Sequence, residues 1–183
     1  MSLPQVLGKE GKANMDPKSQ RSKDEISHAL LQLMKSKDFA AITNKEITDA
    51  AQLSHITYYR NFSSKEDIIR FHLHRVTDHF IAVSQIDYET EDFQAYLIKL
   101  FTHLMNQKEL GELLLRAGLI HCIKEEFDRI FSAKTKDRRD LFHYYFIAGG
   151  LYNLYYVWLK NGCRETPEEL AALFMDFSIS KKS

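Results

Sequence analysis

Residues 43–66 read TNKEITDAAQLSHITYYRNFSSKE, and this stretch decides the fold of the N-terminal part of the chain. Three helix starts are signalled within it by side chains that can cap backbone N–H groups: Thr43 with Glu46, Ser54, and Ser63 with Glu66. Only Gln52 and Leu53 separate the first predicted helix from the second cap. Two short helices joined so tightly are typical of a helix-turn-helix, whose second helix can enter a DNA groove.

Predicted helices flank this pair on both sides. Upstream, Ser22 and Glu25 form a further capping box. An apolar stripe with helical spacing follows it: Ile26, Ala29, Leu30, Leu33 and Met34. Downstream, a longer helix is predicted over residues 64–82. Gly and Pro number only 7 and 3, and strand-like alternation is absent, so we predict an all-α protein.

The predicted domain organisation follows from these helices. A three-helix head should occupy residues 21–66, and a C-terminal helical domain should occupy residues 67–183, with helix 64–82 joining the two. Residues 1–20 are polar and lack apolar periodicity, so we interpret them as a disordered arm or a non-native leader, with Met15 as an alternative natural start.

The side chains around the second short helix suit a nucleic-acid backbone. There is no acidic residue from Gln52 to Lys65. Cations and hydroxyl groups make most phosphate contacts, and this segment supplies both: Ser54, His55, Thr57, Tyr58, Tyr59, Arg60 and Lys65. Each tyrosine by itself is equally compatible with a half-buried aromatic, but the whole cluster indicates DNA contact.

In order and spacing, the segment resembles the N-terminal domain of the TetR family of transcriptional regulators over about residues 20–75. The matching positions are Phe39, Ile42-Thr43, Glu46-Ile47, Ala50-Ala51, Ser54, Thr57-Tyr58-Tyr59, Phe62 and Lys65-Glu66. The resemblance implies that the first helix of the motif contacts the DNA through Thr43, Asn44 and Lys45. It places three residues against the bases, His55, Ile56 and Thr57. Phosphates would be held by Tyr59, Arg60 and the region of Lys65.

Two positions depart from the family pattern. The turn carries Gln52 where glycine is usual, which strains the backbone if the turn needs a positive φ. His55-Ile56 replaces a common Lys-Gly pair. Ile56 cannot form hydrogen bonds with its side chain, so it would either read a thymine methyl group or only pack within the protein.

Composition is compatible with a local DNA-binding patch. Lys plus Arg and Asp plus Glu both total 25, so the net charge of the 183 residues is zero. A small reading head needs only a local basic surface. The two cysteines, Cys122 and Cys163, form neither a disulfide framework nor a paired metal motif. No signal peptide is recognisable, and a cytoplasmic location is the simplest expectation.

Residues 141–159 contain no charged residue and are nearly long enough to span a bilayer. Five tyrosines, His143 and Asn153 would leave polar groups in hydrocarbon, so a membrane span is disfavoured. The alternative is a helix covered partly by its own domain and partly by a second copy of the chain. With the helix over residues 167–178 it would form a four-helix dimer seam. Its predicted residues are Tyr145, Gly149, Gly150, Tyr152, Tyr156, Leu173, Phe174 and Phe177.

The resemblance also implies a small-molecule effector bound in the C-terminal domain. Candidate lining residues are Tyr96, Phe101, His103, His121, Tyr144 and Phe146, for each of which core packing is the alternative. Two histidine groupings, His72 with Arg75 and His79 and His121 with Glu125, lack a full set of metal ligands. Enzyme motifs and cofactor-binding loops are absent from the sequence.

The expected function is therefore a dimeric regulator, most simply a repressor, that binds a palindromic operator in double-stranded DNA. The alternative is a helical adaptor that contacts other proteins, or a co-regulator that responds to a protein partner, with weak or no DNA binding.

Overall fold

The computed structural model describes residues 16–84, 92–132 and 138–178. Every regular element in these ranges is helical, which confirms the all-α expectation. The α-helices are α1 Pro17–Ser36, α2 Asn44–Ala50, α3 His55–Asn61, α4 Lys65–Ser84, α5 Phe93–Asn106, α6 Lys108–Arg116, α7 His121–Ser132, α8 Arg138–Lys160 and α9 Pro167–Ser178. A single 3-10 turn, Phe39–Ala41, precedes α2. None of the described helices is long and apolar enough to cross a membrane.

The described residues fall into two compact units. The N-terminal unit includes the chain up to Thr77 and the segment Leu113–Cys122. The C-terminal unit includes Asp78–Glu112 and the chain from Ile123 onward.

Helix α1 begins earlier than predicted. The Asp16 carboxylate accepts a hydrogen bond from the backbone N–H of Lys18 (3.1 Å), and Pro17 occupies the first helical turn. An aspartate cap followed by proline is a strong helix start, because proline lacks the N–H that would need a partner. Residues 17–20 are therefore helical and not part of an arm, and Ser22 lies buried within the helix instead of capping it. Residues 1–15 lie outside the described residues.

Local capping forms the helix-turn-helix. The Thr43 hydroxyl accepts from the N–H of Glu46 (3.2 Å), and the Glu46 carboxylate accepts from the N–H of Thr43 (2.9 Å), so the predicted capping box is confirmed. Ser54 caps α3 as predicted. At α4 the cap is shifted by one residue, because Ser64 accepts from the N–H of Asp67 and Asp67 accepts from the N–H of Ser63.

The turn between α2 and α3 adopts the strained backbone that the sequence suggested. Gln52 has φ 55°, in the left-handed region that glycine adopts most easily. Such a conformation costs a non-glycine residue roughly 1–2 kcal/mol. It is held by a backbone hydrogen bond from Leu53 N–H to Thr48 O (2.9 Å).

Helix α1 packs on both α2 and α3 and closes the core of the N-terminal unit. The side chains at its centre are fully buried: Ile26, Leu30, Ile47, Tyr58 and Ile68. Arg116 donates to the carbonyl oxygen of Met34 at the end of α1 (3.2 Å), within the same unit. Burial of this apolar set holds α2 and α3 in place against α1.

In the C-terminal unit, α9 packs on α5 and α8. Its core contains large aromatic side chains, and Phe101 lies edge-on to Trp158 with ring centres 6.0 Å apart. Thr166 and Glu169 form a capping box, and α9 begins at Pro167, the first residue of the helix predicted over residues 167–178. The chain passes from α6 to α7 near Gly118, which has φ 72°.

Candidate nucleic-acid interface

An exposed polar surface runs along α2 and α3, on the side away from α1. Its members are Thr43, Asn44, Lys45, Ser54, His55, Ile56, Thr57, Tyr59 and Arg60, all of which are exposed or half-buried. The structure thus brings together nine of the eleven residues predicted to contact DNA. The remaining two, Tyr58 and Lys65, are engaged elsewhere.

Tyr59 joins the two short helices on this surface. Its side chain is 65% exposed, and its hydroxyl accepts a hydrogen bond from the Asn44 side-chain amide (3.4 Å). Asn44 is the first residue of α2, so the start of one helix is linked to the middle of the next. The exposed phenol hydroxyl can still donate to a phosphate oxygen.

The start of α3 is held by hydroxyl groups. Ser54 accepts from the backbone N–H of Thr57 (3.2 Å), and the two hydroxyl oxygens lie 3.0 Å apart. Both side chains are therefore oriented before any ligand arrives. Between them, His55 and Ile56 are exposed and project from the first turn of the helix.

Charge on this surface is partly neutralised at α2 and uncompensated at α3. Lys45 forms an exposed ion pair with Asp49 (2.6 Å), whose hydrogen bond and charge raise the pKa of Lys45. Among the described residues no ion pair involves Arg60, whose side chain is exposed. Arg60 is therefore available to an anionic ligand such as a phosphate.

Glu46 is the acidic residue nearest the start of α2, and it is fully engaged within the protein. Its carboxylate accepts from Lys37 (2.6 Å) and from the backbone and hydroxyl of Thr43. These hydrogen bonds, that of Lys37 foremost, lower the pKa of Glu46 to about 2. The sequence indicated the capping role of Glu46 but not its partner Lys37, which lies nine residues upstream.

Tyr58 does not belong to the exposed surface, so its prediction as a DNA contact is wrong. Its side chain is 0% exposed and packs edge-on against Tyr59 and at a tilt against Phe62. The buried hydroxyl has no hydrogen-bond partner among the residues that the structure describes. Burial, with smaller contributions from Tyr59, Asp67 and Glu66, raises the pKa of this phenol. Tyr58 is thus a core aromatic that fixes α3 from behind.

Lys65 is also not a free cation for phosphate. Its ammonium donates to the carbonyl oxygens of Phe39 (2.6 Å) and Ile42 (2.7 Å). It also lies above the Phe39 ring. These contacts tie the start of α4 to the 3-10 turn that leads into α2, so the prediction of a phosphate contact is replaced by a positioning role.

A second surface, on α8 and α9, is apolar and exposed. Of the predicted dimer residues, Tyr145, Leu173 and Phe177 are exposed, and Gly149 faces open space. Tyr152 and Tyr156 are half-buried and stack on one another. Sequence reasoning missed three exposed residues that also belong to α8: Phe142, Asn153 and Val157. The uncharged run at 141–159 signalled this helix without indicating which of its side chains would point outward.

Two predicted dimer residues, Phe174 and Gly150, lie against each other within the chain. Phe174 is buried and lies edge-on to Phe93, so its prediction as an intermolecular contact is wrong. A Cβ atom at Gly150 would lie 3.1 Å from the Phe174 ring, so this glycine admits α9 of the same chain. Gly150 is nevertheless exposed, and its contact with a second copy stays a prediction.

The predicted effector residues are divided between the core and the surface. Tyr96, Phe101 and Tyr144 are buried in the C-terminal unit. His103 is half-buried and stacks on Phe80 with ring centres 4.4 Å apart, and burial together with His79 lowers its pKa.

Two members of this set do not face the interior of the C-terminal unit, so their prediction as lining residues is wrong. Phe146 is 67% exposed and shares the outward side of α8 with Phe142. His121 is exposed, and it lies in the segment that clusters with the N-terminal unit.

His72 belongs to one of the two histidine groupings considered for metal binding. Its ring nitrogen lies 3.1 Å from the Ser27 hydroxyl, so it has a hydrogen-bond partner within the protein. Burial, foremost, and His28 lower the pKa of His72. Within the part of the chain that the structure describes, no group of three or more potential ligand side chains could hold a metal ion.

Comparison with known proteins relates both units to regulators. Residues 91–180 match the family described as "Transcriptional regulator C-terminal region" (TetR_C_8). The HTH-type transcriptional regulator YxbF of Bacillus subtilis is 24% identical over 185 residues, which cover 95% of this chain and 49% of YxbF. The chain thus spans about half the length of that relative.

Two solved structures share the fold over nearly the whole chain. Lin0861 from Listeria innocua has a TM-score of 0.70 at 18% identity, with 96% of this chain and 95% of that chain covered. A TetR transcriptional regulator from Streptococcus agalactiae has a TM-score of 0.60 at 18% identity, with 91% of this chain and 98% of that chain covered.

Proposed function

We propose that this chain is a transcriptional regulator of the TetR family and that it binds a palindromic operator in double-stranded DNA as a homodimer. The family match over residues 91–180 and the similarity to YxbF support this proposal. By occupying the operator the chain would repress transcription, since a bound dimer excludes other proteins from the same stretch of duplex. This function would require a cytoplasmic location, because that is where the operator DNA would lie.

The observation that carries the proposal is the two-sided character of α3. Its buried side holds Tyr58 in the core, while Tyr59 and Arg60 stand exposed beside it. No acidic residue lies between Gln52 and Lys65, so the outward side can approach a phosphate backbone without repulsion. Residues near the start of this helix would then meet base edges in the major groove.

The apolar surface on α8 and α9 supports the homodimer. Phe142, Phe146 and Phe177 are each more than 60% exposed. Exposed apolar patches of this kind mark interaction surfaces. A two-fold axis would bring the same surface of two copies together and present two reading heads. Two heads one helical turn apart read a palindrome.

The proposal includes a small-molecule effector that acts on the C-terminal unit. Such a ligand changes DNA affinity only if it binds one conformation of the dimer more tightly than the other. Among the members of the proposed set that lie in the C-terminal unit, His103 is half-buried and stacked on Phe80, so the core does not wholly enclose its imidazole. Its imidazole can donate or accept a hydrogen bond.

The salt dependence of DNA binding tests the proposal. Duplexes enriched from a random pool by the purified chain should bind less tightly as salt rises, with log Kd changing linearly with log salt. Arg60→Gln should weaken binding to all duplexes and reduce the slope by about two per dimer, one for each lost phosphate contact.

Arg164→Gln serves as the matched control, because Arg164 is exposed outside the helix-turn-helix and should leave the slope unchanged. A binding constant that is weak and insensitive to salt would instead favour the helical adaptor.

A further inference from the structure

Ile56 is the most exposed of the large apolar side chains that the structure describes, at 79%. It is the second residue of α3, in the middle of a polar surface. An isoleucine in water forfeits the favourable transfer of its side chain to an apolar environment. A β-branched residue also adds little to helix propensity. Packing within the folded chain therefore does not account for an isoleucine at this position.

The neighbours of Ile56 do not extend it into an apolar patch. His55 and Arg60 are exposed and polar, and Tyr59 presents a hydroxyl group. Apart from Tyr59, whose ring carries that hydroxyl, the other exposed large apolar side chains of the described residues lie beyond Thr77, in the C-terminal unit. One apolar side chain surrounded by hydrogen-bonding groups is not complementary to a broad apolar protein surface. It is complementary to a partner that presents one methyl group among hydrogen-bonding groups.

DNA offers such a group in the major groove. The edges of the bases there carry hydrogen-bond donors and acceptors and one apolar group, the C5-methyl of thymine. Residues at the start of a recognition helix approach these edges. The hydroxyls of Ser54 and Thr57, on either side of Ile56, are oriented toward each other in the helix cap. The exposed side chains between these two hydroxyls are those of His55 and Ile56, and Ile56 is the apolar one.

We infer that Ile56 determines sequence specificity by packing on the C5-methyl group of a thymine in each half-site of the operator. The inference rests on the proposed DNA binding and adds one requirement to it. A half-site with cytosine at that position would present a hydrogen atom in place of the methyl group and would bind less tightly. Methylated cytosine carries the same group and is the other source of this chemistry.

The test removes single methyl groups from the DNA and the isoleucine from the protein. The full chain selects a duplex from a random pool, and each thymine of a half-site is then replaced in turn by deoxyuridine. Fluorescence anisotropy at fixed salt should reveal one thymine whose replacement weakens wild-type binding about fourfold, the value of one buried methyl group. Ile56→Ala should bind the thymine and deoxyuridine duplexes equally. Val83→Ala, at a 58% exposed position of α4, should retain the methyl dependence.

The possible results of these binding measurements distinguish a failure of the inference about Ile56 from a failure of the proposed function. Wild-type binding that ignores every deoxyuridine, or an Ile56→Ala variant that keeps the methyl dependence, overturns the inference and leaves the proposed function standing. A 5-methylcytosine·guanine pair that binds more tightly than the thymine·adenine pair overturns the assignment to thymine. Failure to enrich any duplex overturns the proposed function and this inference with it. Ile56→Ala should fold normally, because substitutions at exposed sites change stability little.

Discussion

The ammonium nitrogen of Lys65 lies 2.6 Å from the carbonyl oxygen of Phe39 and 4.7 Å from the centre of its ring. One side chain thus closes the end of the 3-10 turn by a charge-assisted hydrogen bond and a cation–π contact. With a further bond to the Ile42 carbonyl oxygen, it fixes the chain immediately before the cap of α2. The first residue of α4 therefore positions the helix that begins the proposed DNA surface.

Lys65→Ala should lower the free energy of unfolding by about 1–3 kcal/mol, because part-buried carbonyl oxygens lose their donor. Urea denaturation followed by circular dichroism measures this change. Lys45→Ala is the control, since its ion pair with Asp49 is exposed to solvent and should contribute little to stability. Unchanged stability of Lys65→Ala, together with a smaller salt slope of DNA binding, would return Lys65 to the phosphate contacts.

Tyr58→Phe should leave DNA binding unchanged and keep or raise the stability. The hydroxyl that it removes is buried without a partner, and relief of that desolvation is worth up to about 1–3 kcal/mol. Tyr58→Ala should instead lower the free energy of unfolding by about 3–5 kcal/mol, because it leaves a cavity behind α3. Equilibrium unfolding and anisotropy titrations with DNA measure the two effects. Weaker DNA binding by a stable Tyr58→Phe variant would contradict the assignment of this residue to the core.

The stability of the N-terminal unit should fall as the pH is lowered from about 4.5 toward 2. The pKa of Glu46 is about 2 in the folded chain and 4.5 ordinarily, so its contribution is fully present above the ordinary value. Protonation of the folded carboxyl group at lower pH then removes that contribution. Urea midpoints at successive pH values should reveal a shallower acid dependence for Glu46→Gln. Lys37→Ala should have a similar effect, since Lys37 is the largest cause of the shift. A Glu46→Gln curve parallel to that of the wild type would refute this account.

Phe177→Glu and Phe146→Glu should each convert the proposed dimer into monomers. Their side chains are 74% and 67% exposed in the single chain, and a charge buried between two copies is costly. Sedimentation velocity at micromolar concentration measures the mass. Val83→Glu should remain dimeric, because Val83 is exposed on α4, which is not a helix of the proposed dimer seam. DNA affinity should fall with the loss of the dimer. A wild-type chain that sediments as a monomer would contradict the proposed assembly.

Polar side chains three positions apart in the sequence predicted where several helices begin. The caps formed by Thr43 with Glu46 and by Ser54 arise where they were expected, because a side-chain cap needs only residues within one helical turn. The positive φ at Gln52 was likewise suggested by the missing glycine of a tight turn. The error at α1 has the same local origin, since Asp16 and Pro17 form a stronger start than Ser22.

By itself, the sequence determined the all-α fold, the helix-turn-helix and the polar character of its outer surface, because these depend on periodicity and on contacts within one turn. Only the tertiary structure decided which of two adjacent tyrosines is buried, since the packing of α3 against α1 encloses Tyr58 and leaves Tyr59 exposed. It also decided that Lys65 binds carbonyl groups 23 and 26 residues away and that Phe174 packs on Gly150. Such contacts depend on how whole helices lie relative to one another. The residue pattern along a single helix carries no information about these relative positions.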